Sequence, residues 1–66
     1  MVKQKADPYS LRVYIIRRDL ENLLAEGYGE FDADLEVTIK LVSEYRLDPE
    51  AVARDKMEAW RQIHNS

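Results

Sequence analysis

Apolar residues recur three and four positions apart in three separate stretches of the chain, with polar residues filling the positions between them. At 100° per residue Tyr9, Val13, Ile16, Leu20, Leu23 and Leu24 fall within about a third of a helix circumference. Phe31, Leu35, Ile39, Val42 and Tyr45 share one face of a second helix, and Val52, Ala53, Met57, Ala59, Trp60 and Ile63 share one face of a third. Each stripe is expected to face a common core. Three amphipathic helices joined by short turns predict an all-α fold, a small three-helix bundle with helices near residues 8–26, 32–46 and 49–64.

The punctuation between the stripes sets these boundaries. Asp7-Pro8 reads as a helix start, since the carboxylate can accept from free backbone N–H groups and proline at the first helical position needs no N–H partner. Gly27-Tyr28-Gly29 is the stop, because glycine takes the left-handed conformation that closes a helix. Asp32 is the expected cap of the second helix, with Asp34 and Glu36 in its first turn, at the positive end of the dipole. Leu47-Asp48-Pro49-Glu50 is the clearest start: a cap, a first-position proline and an acid, with Leu47 placed to staple to Val52. Arg17/Glu21, Glu36/Lys40 and Glu50/Arg54 sit four apart on polar faces and support the helices without implying function. Residues 1–6 read as a flexible tail and 7–66 as one helical domain.

One segment departs from the pattern. Leu11, Tyr14 and Ile15 lie opposite the stripe of the first helix, so residues 9–16 are apolar almost all round. Three explanations stand at this point: the third helix covers the second face, a partner covers it, or Tyr9 to Ile15 is a strand, being rich in β-branched and aromatic residues.

Composition narrows the class. The chain has 66 residues, 45% of them apolar and 35% charged, and contains no cysteine. It is one domain, too apolar to stay disordered, without disulfides or thiolate metal sites. No run approaches the roughly 18 apolar residues of a membrane span, and no apolar segment follows Met1-Val2-Lys3-Gln4-Lys5, so a cytoplasmic protein is expected. The net charge of −3 conceals an asymmetry. Residues 1–18 carry five cations against Asp7, residues 19–48 nine carboxylates against Lys40 and Arg46, and residues 49–66 balance three against three. The basic start and acidic middle complement each other within one chain or between two copies.

No pattern of catalytic or ligand-binding chemistry emerges. His64, the only histidine, lies two residues from the last and reads as a surface side chain. Asp32, Asp34 and Glu36 open like a calcium loop, but Val37 stands where the turn requires glycine and Ser43 where a bidentate glutamate is required. Gly27-x-Gly29 is followed by Asp32 where a dinucleotide fingerprint needs glycine, so it reads as a turn. Asp19 and Glu26 lie on helix surfaces with no sign of a cleft. The expectation is therefore no enzyme, no cofactor and no metal.

In outline, the helix, glycine turn and acidic helix of residues 11–46 resemble the short helical hairpins of small aspartyl-phosphate phosphatases. Leu35-Glu36-Val37-Thr38-Ile39 stands where that family has Ser-Gln-Glu-Leu-Asp, so no residue role carries over. Leu11-Arg12-Val13-Tyr14, followed by Leu20, Leu23, Leu24 and a glycine turn, resembles the ribbon-helix-helix repressors, which implies a dimeric strand pair with Arg12 as its one basic residue. The third helix after its tight turn resembles a helix-turn-helix, although Glu50, Arg54, Asp55, Lys56, Glu58 and Arg61 sum to zero charge. The expected function is a small non-enzymatic protein-interaction module, a regulator or accessory subunit acting through the first helix on a protein partner or a second copy. A small DNA-binding regulator is the alternative, though nucleic acid is not the expected partner. The candidate interface residues are Leu11, Tyr14, Ile15, Arg18 and Tyr28.

Overall fold

The computed structural model describes residues 7–65. The tail assigned to residues 1–6 lies outside them. Three helices form, α1 (Leu11–Ala25), α2 (Glu30–Ile39, continued by a π-helical turn over Lys40–Glu44) and α3 (Pro49–His64). No strand occurs among the described residues, which removes the ribbon reading of residues 9–15.

Ser10, not Asp7, caps α1: its Oγ accepts from the Val13 N–H at 3.1 Å. The Asp7 carboxylate instead accepts from the Tyr9 N–H, and the Ser10 N–H donates to the Asp7 carbonyl, closing a turn ahead of the helix. Pro8 and Tyr9 belong to that turn, so Tyr9 leaves the core stripe and is exposed. At the other end the Tyr28 N–H donates to the Leu23 carbonyl and the Gly27 N–H to that of Leu24, while Gly27 takes φ +103°. This paired closure satisfies carbonyls that the helix end would otherwise leave open, and it requires the left-handed residue that glycine supplies at least cost.

The second helix begins two residues before the expected Asp32. Gly29 is its N-cap without any side-chain cap bond, and Glu30 and Asp32 both lie in the first turn. Two carboxylates near the positive end of the dipole compensate for the missing cap. Beyond Ile39 the turn widens: the Tyr45 N–H reaches back five residues to Lys40, and the Leu47 N–H six residues to Leu41. The chain leaves this turn through Arg46 at φ +55°, the one non-glycine residue with positive φ among those described. The third helix follows the expected span, with Asp48 accepting from the Ala51 N–H and Pro49 opening the helix. Leu47 packs on the core that contains Val52, as the staple predicts.

The core consists of Val13, Ile16 and Leu20 from α1, Ala33, Val37 and Leu41 from the second helix and its π turn, and Val52 and Ala59 from α3. Leu23, Leu24, Val42, Leu47, Trp60 and Ile63 close its margins. Two stripes are thereby corrected. In α3, Ala53 and Met57 face solvent. In α2 the inward face is Ala33-Val37-Leu41, and the more apolar face of Phe31, Leu35, Ile39 and Tyr45 points outward.

Between α1 and α3 the Arg12 guanidinium is bonded to the Asp55 carboxylate, which is 5% exposed and the only buried charged residue among those described. A carboxylate so enclosed requires its counterion, and here the cation remains partly in water. Arg17 Nη1 donates to Gln62 Oε1 at 2.8 Å, and Gln62 Nε2 donates to the Pro8 carbonyl at 3.0 Å. These bonds fix α3 along α1. None of the pairs Arg17/Glu21, Glu36/Lys40 and Glu50/Arg54 closes as an ion pair; Lys40 lies 3.7 Å from Asp19 instead.

Arg46 gives the fold a direct test. A left-handed residue with a Cβ costs about 1–2 kcal/mol, partly offset by the extra freedom glycine has when unfolded. Arg46→Gly is expected to stabilise the domain by roughly 0.5–1 kcal/mol, read as a higher urea midpoint at unchanged slope. A lower midpoint would contradict the account of this turn.

Candidate functional site

The orientation of α2 is set by polar groups on its flank. Asp34 accepts from the Trp60 indole N–H at 2.7 Å and from Lys56 Nζ at 2.9 Å, and the same ammonium donates to Thr38 Oγ1 at 2.9 Å. One turn earlier Glu30 Oε2 lies 3.0 Å from His64 Nε2, whose ring stacks on Trp60 with centroids 5.4 Å apart. Residues 30, 34 and 38 thus meet 64, 60 and 56 in opposite chain directions, a four-residue step on each helix. This is the register of two antiparallel helices linked along one flank by long side chains, while the close packing of α2 is against α1.

That clasp explains which face turns inward. Ala33 is fully buried, and a small side chain lets α2 approach its neighbours closely where Phe31 would hold them apart. Turning the other face inward would break the Asp34 bonds to Lys56 and Trp60, and hydrogen bonds to charged groups are worth about 1.5–3 kcal/mol each. The chain keeps the polar bonds and leaves the bulkier apolar residues outside.

The result is an apolar strip along the outside of the second helix. Phe31 is 79% exposed and Tyr45 59%, with Leu35 and Ile39 about half exposed and Tyr28 beside the strip's start at 40%. Asp32, Glu36 and Glu44 are exposed and make no ion pair with a described residue. On one side the strip runs into a hollow of about 260 Å³ between α1 and α2. Leu23, Val37 and Ile39 supply its apolar lining, and Asp19, Glu36, Lys40 and Glu44 its charged lining.

The residues singled out on α1 form a second surface. Leu11 is 72% exposed, Tyr14 is half exposed, Ile15 is half-buried and Arg18 is exposed. The third helix therefore does not cover this face, although it packs against the neighbouring side of α1 through Arg12. The Arg17 and Arg18 guanidinium carbons lie 5.6 and 6.0 Å from the Tyr14 ring centroid, giving an aromatic group flanked by two cations.

Of the five candidate residues, Leu11, Tyr14, Ile15 and Arg18 lie together on α1, and Tyr28 lies apart, in the turn before α2. Periodicity alone places Phe31, Leu35, Ile39 and Tyr45 in the core, and in the structure they are at the surface. The signal that finds them is the matched spacing of Asp34 and Thr38 with Lys56 and Trp60.

Among the described residues no group of three or more His, Asp or Glu side chains gathers where it could hold a metal ion, and no helix is long and apolar enough to cross a membrane. Asp34 is bound to Lys56 and Trp60 rather than aligned with Asp32 and Glu36. Arg61 and then Gln62 donate to the Glu58 carboxylate and hold its pKa below the usual value, while Glu58 raises that of Arg61. Whatever this surface group contributes to stability is present above the ordinary carboxylate range and is lost as pH falls through the lowered value. No protein-family model, curated protein or solved structure matches the chain.

The clasp is tested through the single tryptophan. Asp34→Ala is expected to cost roughly 1.5–3 kcal/mol and to shift Trp60 emission to the red as water replaces the carboxylate at the indole N–H. Unchanged stability with unchanged emission would show that Asp34 does not hold α2 in place.

Proposed function

We propose that this chain is a small non-enzymatic protein-binding module, a regulator or accessory subunit, whose binding surface is the outer strip of the second helix together with the outer side of the first half of α1. The carrying observation is that the second helix is mounted with its more apolar side toward water. A small domain has little apolar material to spare, so contiguous exposure of Phe31, Leu35, Ile39 and Tyr45 marks a surface that is covered in use. Aromatic residues at 28, 31 and 45 are of the type that dominates binding energy at protein interfaces. Helical spacing of Phe31, Leu35 and Ile39 suits a partner that reads one helix face.

The chemistry of the remaining side chains supports binding over catalysis. His64 is held by Glu30 and Trp60 at the exposed end of α3, and the buried Asp55 is neutralised by Arg12. Both groups have structural work.

Immobilised wild-type chain and a Leu35→Glu/Ile39→Glu variant, each incubated with extract of the native host, test the reading. Both positions already touch water, so the variant is expected to keep its helical circular dichroism while proteins retained by the wild type are lost. Equal retention by a folded variant would contradict the assignment of the strip as the binding surface.

A further inference from the structure

The two exposed surfaces differ in charge in a way that points to each other. The strip on the second helix is bordered by Asp32, Glu36 and Glu44, carboxylates without a cationic partner among the described residues, against the one cation Lys40, which lies over the Tyr45 ring and 3.7 Å from Asp19. The face on α1 presents Leu11 and Tyr14 beside Arg17 and Arg18, cations that approach the Tyr14 ring and whose polar contacts are a glutamine bond and a 3.7 Å approach to Asp19. Within one molecule these surfaces do not meet, because both face away from the bundle into solvent. In a pair of molecules they can.

We infer that the occupant of the apolar strip is a second copy of this chain, with the first half of α1 of each copy laid against the outer strip of the other copy's second helix. The inference rests on the strip being a binding surface and names what binds there. Leu11 and Tyr14 cover Leu35 and Ile39, while Arg18 faces the carboxylate border that includes Glu36. A two-fold axis over the hollow between α1 and α2 makes every such contact twice, as an isologous dimer requires. Opposite charges bordering an apolar centre also set orientation, since α1 against α1 would bring arginines together and α2 against α2 would bring carboxylates together.

Charge reversal read by sedimentation at low ionic strength tests the pairing. The wild type is expected at twice the 7.8 kDa chain mass. Arg18→Glu alone and Glu36→Lys alone should each sediment as monomers, with helical circular dichroism retained because both side chains face solvent. Arg18→Glu combined with Glu36→Lys in one chain restores opposite charges across the interface and should restore the dimer. Raising salt to about 1 M, where charges are screened beyond roughly 3 Å, should weaken the wild-type dimer. A wild type that stays monomeric at high concentration, or a double variant no more dimeric than either single one, overturns the inference. The binding-module reading would then still stand if Leu35→Glu/Ile39→Glu loses host proteins that the wild type retains, and would fall with it if that variant retains them.

Discussion

The Asp34 carboxylate, shared between the Trp60 indole and the Lys56 ammonium, fixes the rotation of the second helix about its own axis, and most other features of the surface follow from that rotation. A helix with apolar residues on two sides has two ways to pack. Here polar bonds on its flank hold one of them, because turning the helix would break the bonds that Asp34 and Thr38 make to Trp60 and Lys56. The outward strip is thus a consequence of the way the bundle closes, and it lies on a helix held along its flank by the bonds to Lys56, Trp60 and His64.

The small size of the core makes that arrangement consequential. Ala33 and Ala59 occupy two of the eight buried apolar positions among the described residues, which brings the helices close but leaves little apolar area removed from water. The Arg12 and Asp55 pair adds specificity between α1 and α3 at a desolvation cost. A domain built this way gains from any partner that covers Phe31, Leu35, Ile39 and Tyr45, since binding to the folded state alone raises its stability. Interaction and stability are then linked through the same side chains.

Much of this was legible in the sequence. Three helices and the all-α class follow from the 3.6-residue period, and the Gly27 stop and the Asp48-Pro49 start follow from backbone chemistry that acts locally. The start of α1 was harder, because Asp7-Pro8 and Ser10 both offer capping oxygens and the outcome depends on which one the following turn can use. The α2 face was misread for a different reason. Periodicity ranks faces by apolar content, whereas the inward face here was selected by long-range bonds from Asp34 and Thr38 to a helix some twenty residues away in sequence. On α1, by contrast, Leu11, Tyr14 and Ile15 stand out because apolar residues surround the helix there, an excess that the sequence alone displays.

The rotation of the second helix can be measured directly, because the chain has no cysteine and each introduced thiol would report alone. Leu35→Cys, Ile39→Cys, Val37→Cys and Leu41→Cys, each made singly and exposed to a thiol reagent in dilute protein at high salt, separate the two packings by labelling rate. Fast reaction at positions 35 and 39 with strong protection at 37 and 41 is the predicted result; protection at 35 and 39 with fast reaction at 37 and 41 would contradict it.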